Sequence, residues 1–268
     1  MFRSYLRTAV RNLFRNKLFS GLNIFGLATG MTCSILIFLW VQDELSYDKF
    51  NAHEKNIYRL TAQVGDIRAA VVPVPAAMAI KAAIPAVKNV TRLSALQSMV
   101  TVGAQKYEEK NIFYADSNFL RIFSYPLLLG DAATLLTQPD GVVLTENGAR
   151  KYFGSPENAM GKTLHIDNEY DGNNLMVTAV LQDVPHNSHL QFDMLVPIRL
   201  YEKTINPAQG WGNFDVYTYL QLNDHFNATP AALASLKQQI MAGYRRDDNT
   251  NTKGFLSLQP LEDSHVRA

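Results

Sequence analysis

The chain has 268 residues, 47% hydrophobic and 18% charged, with 25 Lys and Arg against 24 Asp and Glu for a net charge of +1. These totals exclude a disordered polar chain, a collagen and a small disulfide scaffold, and the charge balance carries no footprint of a nucleic-acid binder. The one cysteine, Cys33, excludes an intrachain disulfide.

The charges are unevenly placed. Residues 1–17 hold Arg3, Arg7, Arg11, Arg15 and Lys17 and no acid, which is +5. The other 20 bases and 24 acids give −4 over residues 18–268. A basic start before an acidic body is a topology signal. Phe2, Leu6, Val10 and Leu13 share one side at helical spacing, and the arginines form an adjacent stripe at i, i+4. This pattern predicts a basic amphipathic helix over 1–17, lying on an anionic cytoplasmic leaflet.

From Leu18 to Gln42 there is no charge in 25 positions. As a helix that is about 37 Å at 1.5 Å per residue, against ~30 Å for a bilayer core. A transmembrane helix is predicted over 18–42, with Trp40 at an interface and Asp43, Glu44 and Asp48 just beyond it. The basic end should stay in the cytoplasm and the chain from 43 onward should lie outside. A cleaved signal peptide fits less well. The uncharged stretch exceeds the usual apolar region of about 7–15 residues, and no small-x-small site precedes Asp43. Gly26 and Gly30 form GxxxG, a spacing that lets a neighbouring helix approach closely.

No later stretch is long and apolar enough to span. Ile57–Gln63 reads as a strand, Pro75–Ala83 as a helix, and Val90–Ala95 and Met99–Gly103 as two strands. Asn118–Leu129 mixes helix with aromatic packing. Gly148–Phe153 reads as a short helix closed by Gly154. Thr163–Asp167 and Leu175–Gln182 read as strands joined by the turn Asp171-Gly172-Asn173-Asn174. Val216–Leu222 is a strand, Pro230–Tyr244 a helix with Thr229 as N-cap, and Phe255–Gln259 a closing strand. The class is α+β. Strand-helix-strand units at 55–105 and 216–260 are expected to pair, with 112–190 as a strand-rich insertion.

Chemistry-bearing motifs are scarce. Gly161-Lys162-Thr163 resembles the end of a phosphate loop, but GxxxxGK[ST] needs glycine where Pro156 stands. The residues that follow read as strand, so a turn entering a strand accounts for them. His186 and His189 in P-H-N-S-H are a weak metal signal, and loop hydrogen bonding by Asn187, Ser188 and the histidines is the plainer account. There is no G-x-S-x-G, and Cys33 lies where a thiolate would be costly. No catalytic residue, metal ligand or cofactor is expected.

Several stretches together resemble a known family. They are R-N-L-F-R-N-K-L-F-S (11–20), W-V-Q-D-E-L-S-Y-D-K-F (40–50), I-Y-R-L (57–60), F-S-Y-P-L-L-L-G-D (123–131), V-V-L-T-E-N-G-A-R-K-Y-F-G (142–154), G-K-T-L (161–164), V-P-H-N-S-H-L-Q-F-D (184–193), Y-T-Y-L-Q-L (217–222) and L-Q-P-L-E-D-S-H (258–265). The whole chain resembles the start of MacB/FtsX-type ABC transporter permeases. The resemblance implies one N-terminal transmembrane helix followed by a two-lobed mixed α/β periplasmic core domain over 43–268, with an inserted lobe at about 112–190. It implies an inner-membrane subunit without ATP hydrolysis of its own. The partners implied are a cytoplasmic ABC ATPase, other permease spans or a second permease copy, a periplasmic partner and membrane lipid, with no nucleic acid. Family permeases continue with further spans after this domain, so the resemblance makes the chain the front of a longer permease or a truncated product. A stand-alone single-span binding or sensing module and a metalloenzyme using His186 and His189 are the alternatives.

Overall fold

The uncharged run becomes a single long helix because nothing in it breaks one. In the computed structural model, which describes residues 5, 7, 11, 14–167, 172–204, 211–247 and 254–264, it forms α1 (Lys17–Glu44). At 28 residues α1 is long and apolar enough to cross a membrane, and none of its residues is buried. The chain divides into two units, Met1–Tyr47 and Asp48–Ala268.

The second unit is sheet-rich, with helices between strands. After a 3-10 turn at Glu54–Asn56 come β1 (Ile57–Val64), β2 (Ile67–Ala69), β3 (Val71–Pro73), α2 (Ala76–Ala83), β4 (Val87–Val102) and β5 (Gln105–Ala115). Then follow α3 (Phe119–Ile122), β6 (Leu127–Leu129), β7 (Gly141–Thr145), α4 (Glu146–Phe153), α5 (Pro156–Ala159), β8 (Thr163–Ile166) and β9 (Asn173–Leu181). The described chain closes with β10 (Met194–Pro197), α6 (Ile198–Glu202), β11 (Phe214–Leu222), α7 (Pro230–Asp247), β12 (Gly254–Pro260) and a 3-10 turn at Leu261–Asp263. Among the described residues twelve strands make one mixed sheet in the order β12-β1-β11-β4-β5-β10-β7-β9-β6. β2 adds to β1, β3 to β11, and β8 bridges β4 and β9. Among the described strands β10–β5 and β7–β9 are the parallel pairs.

Side chains alternate across a strand, and the core follows that alternation. On one face a continuous cluster runs from Ile57 and Tyr219 through Leu93 and Ala115 to Leu195, Val143 and Leu181. Phe119, Phe123, Tyr125 and Phe192 cover it, with ring centroids 5.1–5.7 Å apart between Phe119 and the other three. The opposite face carries two clusters. One packs Leu60, Val90, Val216 and Leu220 under α2 and α7. The other packs Val142, Leu144, Val180 and Met194 under Ala149 of α4 and Ala159 of α5. Between them Arg92 forms an ion triad with Asp116 and Glu202. Its Nε and Nη2 donate to Asp116 at 3.0 and 2.8 Å and its Nη1 lies 2.7 Å from Glu202.

Local sequence explains several boundaries. Thr145 Oγ accepts from Gly148 N to cap α4, and Gly154 closes it at φ +83°, the left-handed geometry that glycine tolerates. Thr229 Oγ accepts from Ala232 N at the start of α7. β8 and β9 pair antiparallel from Thr163↔Met176 to Ile166↔Asn173.

The reading of two strands at 90–95 and 99–103 is corrected to one strand, β4. The polar Gln97-Ser98 pair is a register shift between Leu96 and Ser98. A bulge keeps pairing while breaking the alternation, and so looks like an end. β5, β7 and β10 escaped the reading for two reasons. Lys106–Lys110 is a charged run on a strand, while G-V-V-L-T and M-L-V-P are short and buried throughout, with no period to read.

Gly130 shows how tightly β6 lies on β9. Its φ is +106°, and an added Cβ would stand 2.7 Å from Ala179 Cβ and 2.8 Å from Thr178 O. Gly130→Ala is expected to cost about 2–4 kcal/mol by strain plus overpacking. Chemical denaturation followed by the fluorescence of Trp211, which packs on the core beside Tyr244, measures this.

Candidate functional site

In the first unit Arg7, Arg11, Arg15 and Lys17 are exposed. Arg3 and the apolar positions Phe2, Leu6, Val10 and Leu13 lie outside the described residues. Gly26 and Gly30 have open space where a Cβ would stand. The hydroxyls of Thr29, Thr32 and Ser34 donate to the carbonyls of Phe25, Ala28 and Gly30 at 2.8–2.9 Å. Hydroxyls within a helix settle on the i−4 carbonyl in this way.

The second unit begins with a buried acid. Asp48 is 1% exposed and has φ +58°, a region that Asp tolerates better than most residues. Its N–H donates to Asn187 O at 2.9 Å, and its own carbonyl accepts from Asn51 N and Nδ2 at 3.1 and 2.9 Å. Asn51 Oδ1 in turn accepts from Ser124 N at 2.9 Å. Four residues after α1 ends, the backbone is therefore pinned to two loops of the body.

The Asp48 carboxylate accepts from His189 Nδ1 at 2.7 Å and from Ser188 Oγ and His189 N at 3.3 Å. His189 Nε2 lies 2.7 Å from Tyr219 Oη. Tyr219 is fully buried on β11, directly opposite Arg59 of β1 in the strand register, and the Arg59 guanidinium favours negative charge on its hydroxyl. Arg59 donates through Nε and Nη2 to Gln259 Oε1 of β12 at 3.3 and 2.9 Å.

The donor inventory fixes the protons along this row. An ionised carboxylate only accepts, so Asp48 takes the hydrogen of His189 Nδ1, and Nε2 faces the Tyr219 hydroxyl. Burial raises the Tyr219 pKa above the usual phenol range, which keeps that hydroxyl a donor. The second branch works alike. Ser188 gives its hydrogen to Asp48, and its oxygen accepts from Tyr125 Oη at 2.9 Å and Leu190 N at 3.3 Å. Burial likewise raises Tyr125.

This arrangement holds rather than reacts. The side chains of His189 and Asp48 are 5% and 2% exposed, and both ring nitrogens are taken. His189 is not placed with His186 as a ligand pair, and among the described residues no group of three His, Cys, Asp or Glu could hold a metal ion. The Gly161-Lys162-Thr163 run is a turn entering β8. Pro156 opens α5, Gly161 turns at φ +72°, and its N–H donates to Val177 O at 2.9 Å.

The residues of this network were overlooked as a site, though a signal existed. Asp48, Arg59, Tyr125, His189, Tyr219 and Gln259 each sit in one of the stretches that carry the family resemblance. Those stretches are remote in sequence and meet here.

The profile of the family described as MacB-like periplasmic core domain matches residues 20–239. No curated protein matches the sequence. Among solved structures the chain is similar to a domain of a protein assigned as a permease from Porphyromonas gingivalis, at 25% identity and TM-score 0.64, over 78% of this chain and 92% of that one. It is also similar in fold to the periplasmic region of MacB from Actinobacillus actinomycetemcomitans, at 15% identity and TM-score 0.56, over 80% and 92% of the two chains. The extracellular domain of the noncanonical ABC-type transporter YknZ from Gram-positive bacteria shares the fold at 16% identity and TM-score 0.54, over 76% and 100%.

Proposed function

The chain belongs to the MacB-like periplasmic core domain family of ABC transporter permeases, and from that premise we propose that it is the N-terminal portion of a permease subunit driven by a separate cytoplasmic ATPase. Residues 1–17 lie on the cytoplasmic leaflet, with Arg3, Arg7, Arg11, Arg15 and Lys17 setting topology and meeting lipid. Residues 18–42 cross the inner membrane, and Gly26 and Gly30 take a neighbouring permease helix. Residues 43–268 form the periplasmic body, with about 112–190 as its inserted lobe. ATP hydrolysis by the partner moves the helix, and the body moves with it to engage cargo or a periplasmic partner.

One observation carries this reading. The family match starts inside α1 and runs through the body to residue 239, so helix and body are matched as one piece. The +5 of residues 1–17 supports the orientation. The pinned entry at Asp48 supports transmission, because a pull arriving along the chain meets a side-chain network rather than a slack loop.

The test is a native pull-down from gently solubilised membranes, with the tag placed at the N-terminus at the chromosomal locus. Mass spectrometry is expected to find an ABC ATPase together with permease spans, on the bait itself or on a partner chain. A membrane bait that recovers neither overturns the transport reading and favours a stand-alone single-span module.

A further inference from the structure

The chain enters the second unit at Asp48, and β12 ends at Pro260. The structure brings these two places together. The 3-10 turns Glu54–Asn56 and Leu261–Asp263 pack on one another, and β1 pairs with β12 from Tyr58↔Pro260 to Val64↔Gly254. Gln259 faces both ways. Its Oε1 accepts from Arg59, and its Nε2 donates to Asp263 O at 2.7 Å.

We propose that Asp48, His189, Tyr219, Arg59 and Gln259 form a tie that couples the start of the body to the end of β12, so that neither opens alone. The path crosses three neighbouring strands, β11, β1 and β12, through side chains only. The donor roles are set from the two ends. Arg59 can only donate, so Gln259 must turn its oxygen inward and its amide toward Asp263. At the other end the Asp48 carboxylate takes the hydrogen of His189 Nδ1, and His189 Nε2 meets the Tyr219 hydroxyl at 2.7 Å. Loss of any link leaves a buried donor or acceptor that the neighbours cannot serve by rotating. Among the described residues the entry segment also bonds to Ser124, to Asn187, and to Ser188 and the backbone of His189. The tie is a side-chain route to β12, and the β1–β12 ladder with the packing of the two 3-10 turns is the rival route.

Native-state hydrogen exchange on the full chain in detergent micelles separates the two, and needs no transport activity. The readouts are peptides covering 48–56 and 254–264. Gln259→Leu is expected to speed exchange in 48–56 by about fivefold, although Gln259 makes no bond to that segment, and Tyr219→Phe to speed both peptides by about tenfold. The double variant should exchange no faster than the faster single one, because members of one network do not add. Gln259→Glu keeps an acceptor for Arg59 and should restore slow exchange in 48–56. Ser257→Ala, on the same strand outside the tie, should change nothing there. Acceleration by Gln259→Leu confined to β12 and β1 overturns the tie, as does an additive double variant. If Tyr219→Phe unfolds the whole body, the Gln259→Leu and Gln259→Glu pair decides alone.

Discussion

His189→Ala is expected to lower the stability of the body by about 3–5 kcal/mol, the loss typical when one member of a buried polar pair with a charge is removed. The change strands the Asp48 carboxylate, 1% exposed, with weaker donors at 3.3 Å, and leaves the Tyr219 hydroxyl without its acceptor. It also opens a cavity beside Phe123 and Tyr219, whose rings lie 6.3 and 5.4 Å from the imidazole. His189→Gln is the control. A carboxamide supplies one donor and one acceptor, so most of the loss should be recovered. The denaturant midpoint followed by Trp211 fluorescence reads both variants. Equal midpoints for His189→Ala and the parent would mean that the network carries no stability.

Asp116→Ala is expected to cost a similar 3–5 kcal/mol. Asp116 accepts from the Arg92 backbone N–H at 2.8 Å as well as from the guanidinium. Its removal leaves a 4%-exposed arginine held by Glu202 and, at 3.5 Å, by Val74 O. The triad lies on the face where the apolar clusters are separate, so the damage should centre on that seam. Exchange should rise first in β4 and α6, which carry Arg92 and Glu202, while β7, buried on both faces and away from the triad, stays protected. Arg92→Met together with Asp116→Leu replaces charge by apolar volume and should recover much of the loss, as apolar replacements of buried ion pairs often do. A midpoint unchanged in Asp116→Ala would show that Glu202 alone neutralises Arg92.

Much of the fold was legible because period and punctuation agree. The alternation of I-Y-R-L-T-A-Q marks β1, Thr145 and Gly154 bracket α4, and Gly172 marks the β8–β9 turn. The α+β class and the single apolar helix follow from such signals. What was hidden has physical causes. The buried strands β7 and β10 have no polar face to alternate with, and the bulge in β4 imitates a loop.

The network at Asp48 was hidden differently. Hydrogen-bond partners such as Asp48 and His189, or Arg59 and Gln259, are 141 and 200 residues apart. No spacing rule joins them, since only the sheet register places Arg59 beside both Tyr219 and Gln259. Treating P-H-N-S-H as loop hydrogen bonding had the right chemistry. It missed the acid that closes it, because Asp48 looks like one more charge flanking the apolar run.

The helix hydroxyls have one more consequence. From Phe25 to Ile37 the three that α1 carries are spent on its own backbone. The hydroxyl hydrogens of this stretch are therefore not available to a neighbour, and a helix packing here would be guided mainly by shape, with open space at Gly26 and Gly30. A helix of this kind can roll about its axis against a partner without breaking anything electrostatic. Against such a partner it would act as a bearing surface rather than a bolted joint.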